Sequence, residues 1–160
     1  FNDRPNEFSW YSDRIYTHIE NIRKHDEDLY CIVFNNCFAR LASIGLHFKP
    51  ISYFSHGDFG ITNLLFSQNG LYLIDPIPST YCNSVLDLAK LCASLKMVDG
   101  YADAYLATTK DCFHFIKSHL CESISYDEFV CLIACEAIRV YKYHPNKNFI
   151  KGVILDVLGS

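Results

Sequence analysis

HGDFGITNLLFSQNGLYLID, residues 56–75, places three groups suited to metal and proton chemistry around one predicted β-hairpin. Gln68-Asn69-Gly70 is the strongest turn signal in the chain, because Asn and Gly both tolerate the positive φ that a tight hairpin needs. Leu64-Leu65-Phe66 and Leu71-Tyr72-Leu73-Ile74 flank it as short runs of strand-forming residues. A three-residue loop with Gly70 left-handed pairs Ser67 with Leu71 and sets Asn63 opposite Asp75; a two-residue loop sets Leu64 opposite Asp75 and leaves Asn63 a diagonal neighbour. Either register brings an amide oxygen and a carboxylate together at the open end. An oxygen-only pair suits a hard cation such as Mg²⁺, which takes few protein ligands and completes its shell with phosphate and water.

Asp58 lies five residues before Asn63, in a loop entered from Ile51-Ser52-Tyr53-Phe54 and loosened by Gly57 and Gly60, so it can face the same place. A carboxylate near a bound metal and phosphate, but not obliged to ligate them, is positioned to take a proton from a substrate hydroxyl. His56 is expected to brace the loop through hydrogen bonds rather than act as the base.

His56-Gly57-Asp58 with Asn63, then Ile74-Asp75, resembles the H-x-D-x-x-x-x-N and following I-D of the aminoglycoside phosphotransferase and choline kinase-like family, relatives of the protein kinases. Asp75 falls where the kinase D-F-G aspartate would, Leu86-Asp87-Leu88-Ala89 looks like the family's D-L-A segment, and Tyr101-Ala102-Asp103-Ala104-Tyr105 resembles the short helix after it. The resemblance covers most of residues 51–105. It implies the C-terminal lobe of a protein-kinase-like fold, α+β and mainly α-helical with a small catalytic hairpin. It also implies Asp58 as the catalytic base, Asn63 and Asp75 as ligands of Mg²⁺ and through it of ATP, and Asp87 as a residue steadying the catalytic loop. Pro76 departs from the Phe or Leu common in the group, and Ile74-Asp75-Pro76 is closer to fructosamine kinases and to sugar kinases of surface-polysaccharide pathways.

With 160 residues, half of them apolar, the chain can bury a core of ordinary size, and one domain is the expectation. Only 55 residues precede His56, and they hold no Gly-rich phosphate loop and no β-rich stretch with a candidate lysine. A family member would carry a nucleotide-binding N-terminal lobe there, so the chain is expected to be the C-terminal lobe alone and inactive by itself. The net charge of −4 gives no electrostatic case for nucleic acid. No apolar run nears the roughly 20 residues that span a bilayer and no secretory signal is visible, so a cytoplasmic location without membrane partners is expected. The eight cysteines sit within apolar patterns and read as buried free thiols. Cys112, His114, His119 and Cys121 form a candidate zinc set, disfavoured because Cys112 and His114 diverge on one helix. Cys131 and Cys135, one helical turn apart, are read as lining a core face.

In chain order, residues 1–7 form an irregular lead-in, and a helix follows from Ser9 with Trp10, Ile15, Ile19 and Ile22 inward. It ends at the charged Arg23–Asp28 run, expected in solvent. A central apolar helix from about Asp28 to His47 carries Leu29, Ile32, Val33, Cys37, Leu41 and Ile44, stopped by Gly45 and Pro50. Pro76-Ile77-Pro78-Ser79 makes a rigid loop, and Asn83 or Ser84 caps the next helix through Val85, Leu88, Leu91, Cys92 and Leu95. Asp87 in its first turn is favoured by the helix dipole whatever else it does. Helices at about 99–107, 109–120, 125–143 and 146–157 complete the chain. Asp99, Asp103 and Glu136 are candidates to meet a cationic or polyhydroxyl substrate, with solvated surface carboxylates as the plainer reading.

The function expected is ATP-dependent transfer of the γ-phosphate to a hydroxyl of a small molecule: a sugar, amino sugar, aminoglycoside or choline-like acceptor. The rival is a non-catalytic kinase-like binding or scaffold protein, and a third reading is a helical zinc-binding adaptor. Retention of His56, Asp58, Asn63 and Asp75 together argues for the first.

Overall fold

The computed structural model describes residues 7–47, 55–77, 83–98 and 102–159. The Ile51–Phe54 run, Pro50, Pro78, Ser79, Asp99 and Tyr101 lie outside the described residues. The described residues are mainly α-helical with one two-stranded antiparallel sheet, an α+β composition dominated by helix. It divides into two compact units, residues 1–49 with 123–160, and residues 50–122.

The first unit holds α1 (Glu7–Arg23), α2 (Glu27–His47), α5 (Tyr126–Tyr141) and α6 (Lys147–Gly159), with α5 packed against the other three. Its centre is α5, where every side chain from Glu128 to Ile138 is buried, the pattern of a helix surrounded by protein. Ser125 caps it reciprocally: its hydroxyl accepts from the Glu128 N–H while Glu128 Oε2 accepts from the Ser125 N–H at 2.8 Å. The inward stripe of α1 is Phe8, Tyr11, Ile15, Ile19 and Ile22; Trp10, expected inside, falls off that spacing and is 39% exposed. Ile32 is likewise 40% exposed while Leu29, Val33, Cys37, Leu41 and Ile44 carry the α2 core. α2 reaches His47, the expected bound, with Gly45 inside the helix. A Cβ there would stand 3.1 Å from the Phe8 ring, so this glycine serves close packing of α1 on α2.

Two charged positions differ from expectation for one reason, that a partner is present. Asp26, in the supposedly solvated run, pairs with Lys151 at 2.6 Å and caps α2 by accepting the Leu29 N–H at 3.0 Å. Glu136 is buried, not superficial: Tyr11 donates to it at 2.9 Å and Arg139 at 2.6 Å. Burial, then the Glu136 charge, pushes the Tyr11 hydroxyl well above its usual range.

His18 has its Nδ1 buried without a hydrogen-bond partner among the described residues. Burial, then the charges of Arg139, Arg14 and Lys142, lowers its pKa below the ordinary 6.5. The unfolded chain therefore binds the His18 proton more readily than the folded one, and the stabilisation present above pH ~6.5 is lost as pH falls through the folded value. Urea unfolding at pH 7.5 and pH 5.5 should show lower stability at the acid end, with a smaller difference in His18→Gln. An unchanged difference in that variant would remove His18 as the cause.

The second unit holds a 3₁₀ turn (Ile61–Asn63), β1 (Leu64–Ser67), β2 (Gly70–Leu73), α3 (Ser84–Met97) and α4 (Ala102–His119). Asn83 caps α3, its side chain accepting from the Val85 N–H at 2.8 Å. The two helices expected on either side of residue 108 are one, α4, because Tyr105, Thr109, Cys112 and Ile116 form an unbroken buried stripe against α3. Cys112 is on that stripe and hydrogen-bonds Cys92, which raises the Cys92 pKa and lowers that of Cys112. His114 and His119 are exposed, so the zinc set considered from sequence does not assemble. Among the described residues no helix is long and apolar enough to cross a membrane.

Candidate functional site

The hairpin closes in a register that neither expected loop gives. Ser67 pairs with Gly70 and Leu64 with Leu73, making Gln68-Asn69 the two-residue loop. Gly70 keeps its positive φ, 134°, but as the first residue of β2. No atom crowds its Cβ direction, so the conformation demands glycine there. Ser67 Oγ accepts from the Asn69 N–H at 3.1 Å, tightening the turn.

Continued outward, this register makes Asn63 the neighbour of Ile74, whose N–H donates to the Asn63 carbonyl at 3.0 Å. Asp75, expected opposite Asn63 in the three-residue-loop register, is thus one residue past that position. It leaves strand geometry altogether: its φ is 52°, the one positive φ of a non-glycine residue described. In the left-handed region strand alternation no longer dictates side-chain direction. The Asp75 carboxylate is exposed and has no hydrogen bond among the described residues.

Residues 55–63 are held from α3. Asp87, in its first turn, accepts from the Ser55 hydroxyl at 2.6 Å and the His56 N–H at 2.7 Å on Oδ2, and from the Gly57 N–H at 2.9 Å on Oδ1. Two turns on, Ser94 Oγ accepts from the Ile61 N–H at 2.8 Å while donating to the Leu91 carbonyl at 2.7 Å. Three charge-assisted bonds to one carboxylate fix a segment that has no regular structure of its own.

His56 ties this loop to the outgoing side of the hairpin. Its buried ring accepts from the Asp58 N–H at Nδ1 (3.4 Å), which leaves Nε2–H to donate to the Ile74 carbonyl at 2.9 Å. Its own carbonyl accepts from the Ile77 N–H at 2.8 Å. The segment carrying Asp75 is therefore bonded on both sides to the residue two before Asp58.

Asp58 is partly exposed. Asn63 Nδ2 donates to its Oδ2 at 3.1 Å and to its backbone carbonyl at 2.8 Å, while Lys90 pairs with Oδ1. The amide nitrogen of Asn63 is thus committed to Asp58, and its Oδ1 has no partner among the described residues. Lys90 was not anticipated from sequence, although a signal exists. It stands at i+3 from Asp87 on α3, so a residue that clamps the loop implies that its helical neighbour reaches the loop as well.

Asp58 and Asn63 are therefore in direct contact, His56 and Asp87 fix the loop that carries them, and Asp75 is next to Ile74, which both Asn63 and His56 bind. Asp103, also considered for substrate contact, is exposed in the first turn of α4. A scan against protein-family models, a search of curated proteins and a search of solved structures each return no match. The chemistry is read from the geometry.

Proposed function

We propose that these residues form the phosphoryl-transfer site of an ATP-dependent kinase acting on a hydroxyl of a small molecule: a sugar, amino sugar, aminoglycoside or choline-like acceptor. The observation that carries this reading is the Asp58–Asn63 hydrogen bond, made inside a loop that one half-buried carboxylate, Asp87, clamps through three bonds. A general base needs an oriented carboxylate with an acceptor position to spare. Asn63 holds Asp58 at Oδ2 and Lys90 at Oδ1, which orients the carboxylate, and its partial exposure lets a substrate hydroxyl approach.

The donor set also fits a hard divalent cation. Asn63 Oδ1 and the Asp75 carboxylate are oxygen donors without protein partners among the described residues, and both would hold Mg²⁺. Bound there with ATP, Mg²⁺ would neutralise charge on the phosphate oxygens. The protein's own part is positioning: Asp58 takes the hydroxyl proton, Asn63 and Lys90 orient Asp58, and Asp87 and His56 keep the loop from relaxing. The hairpin exposes Phe66, Leu71 and Leu73 on one face and Leu65 and Tyr72 on the other.

The test is Mg²⁺-dependent ATP turnover by the intact gene product against a panel of sugars, amino sugars, aminoglycosides and choline. Absence of both turnover and nucleotide binding would replace this reading with the non-catalytic scaffold. Asp75→Ala should abolish Mg²⁺-dependent nucleotide binding measured by calorimetry. Binding with unchanged Mg²⁺ dependence would remove Asp75 from the metal site.

A further inference from the structure

Cys37 of α2 and Cys131 and Cys135 of α5 bring three sulfurs within 4.8 Å of one another, all wholly buried. Cys131 and Cys135 are i and i+4, so they share the face of α5, and Cys37 meets them from the helix packed there. Buried thiols usually serve as small apolar side chains scattered through a core. Here the sulfurs converge on one another. Among the described residues this is the only group of three or more His, Cys, Asp or Glu whose ligand atoms are close enough to share an ion.

The spacing can be compared with that of a coordinated ion. Thiolate sulfurs about 2.3 Å from a metal stand about 4 Å apart when three of them surround it in a plane. The observed separations need to close by less than about 1 Å, a side-chain adjustment. All-sulfur donor sets select soft ions over Mg²⁺, Ca²⁺ or Mn²⁺. No fourth His, Cys, Asp or Glu among the described residues joins the group, whereas structural zinc takes four ligands. We propose that Cys37, Cys131 and Cys135 form a three-thiolate site for a soft monovalent cation of the Cu(I) class.

Hydrogen bonds from the Cys131 and Cys135 thiols, helped by the charge of Arg40 one turn along α2, hold the Cys37 thiol well below its usual range. The same shared bonds, with Cys131 first and Cys37 next, push Cys135 well above it. On binding, three sulfur–metal bonds form and the thiol protons leave to solvent. The ion enters already as Cu(I), so no electrons are exchanged.

The experiment uses the whole chain, reduced and anaerobic, with Cys31→Ser, Cys82→Ser and Cys121→Ser to lower background thiol binding. Cu(I) is supplied from a chromophoric bathocuproine disulfonate buffer. The expected result is one tight equivalent, a three-sulfur first shell by X-ray absorption, and a thermal midpoint that rises on loading, since the site exists only in the folded chain. Cys131→Ser, checked for folding by circular dichroism, should weaken Cu(I) binding at least about tenfold, one factor of ten being about 1.4 kcal/mol. Cys112→Ser should leave it unchanged. If Cys131→Ser does not fold, the X-ray absorption and midpoint of the parent decide. A two-sulfur shell, a midpoint that falls on loading, or undiminished affinity in a folded Cys131→Ser would each overturn the site.

Discussion

Asp58→Asn in the intact gene product should lower kcat by about 10²–10⁴-fold, the range typical of a removed general base, while the thermal midpoint stays nearly unchanged. The asymmetry follows from the contacts. The asparagine keeps the shape of the side chain and can still offer an oxygen to the Asn63 amide. It loses the Lys90 ion pair, but that pair is 25% and 35% exposed at its two side chains, where such contacts contribute at most about 1 kcal/mol. KM for the acceptor should move little, because the lost interaction belongs to the transition state. Steady-state kinetics beside a melting curve checks the prediction. Near-normal turnover would deny Asp58 the role of base.

Asp87→Ala should behave in the opposite way and cost stability first. The substitution strands the His56 and Gly57 N–H groups and the Ser55 hydroxyl at once, and Ser55 and His56 are both buried. Unpaired buried donors cost about 1–3 kcal/mol each, without strict additivity, so a loss of about 3 kcal/mol for the second unit is expected in denaturant unfolding. Turnover should fall with it because the loop bearing Asp58 is no longer fixed. Asp87→Asn should not rescue either property: its single carbonyl oxygen cannot serve all three donors, and its NH₂ would face an N–H. If Asp87→Ala unfolds like the parent protein, something other than this carboxylate holds the loop.

Much of the helical framework was legible because it is written in spacing. The α2 stripe from Leu29 to Ile44, the Asn83 cap and the start of α5 all follow from local pattern. What failed depended on partners remote in sequence. Gly45 looks like a helix stop until Phe8 is known to lie against it, and Glu136 looks like a surface acid until Tyr11, 125 residues away, binds it. In the candidate site the five-residue step from Asp58 to Asn63 and the presence of a hairpin were visible in the chain. The register was not, because Asn-Gly suggested a positive φ within the loop whereas Gly70 uses it one position later, in the strand. Lys90 was passed over for a related reason: a lone lysine on an apolar helix reads as a solvated end until the loop beside it is seen.

The left-handed backbone at Asp75 narrows the alphabet available to that position before any ligand is considered. Glycine enters this region without a Cβ penalty but brings no oxygen, whereas glutamate brings a carboxylate but lacks the short side chain that lets Asp and Asn settle there. Only aspartate and asparagine combine the conformation with an oxygen donor. Substitution by asparagine therefore changes charge while sparing the backbone, and substitution by glutamate does the reverse, so this residue lets the demands of shape and of charge be varied separately.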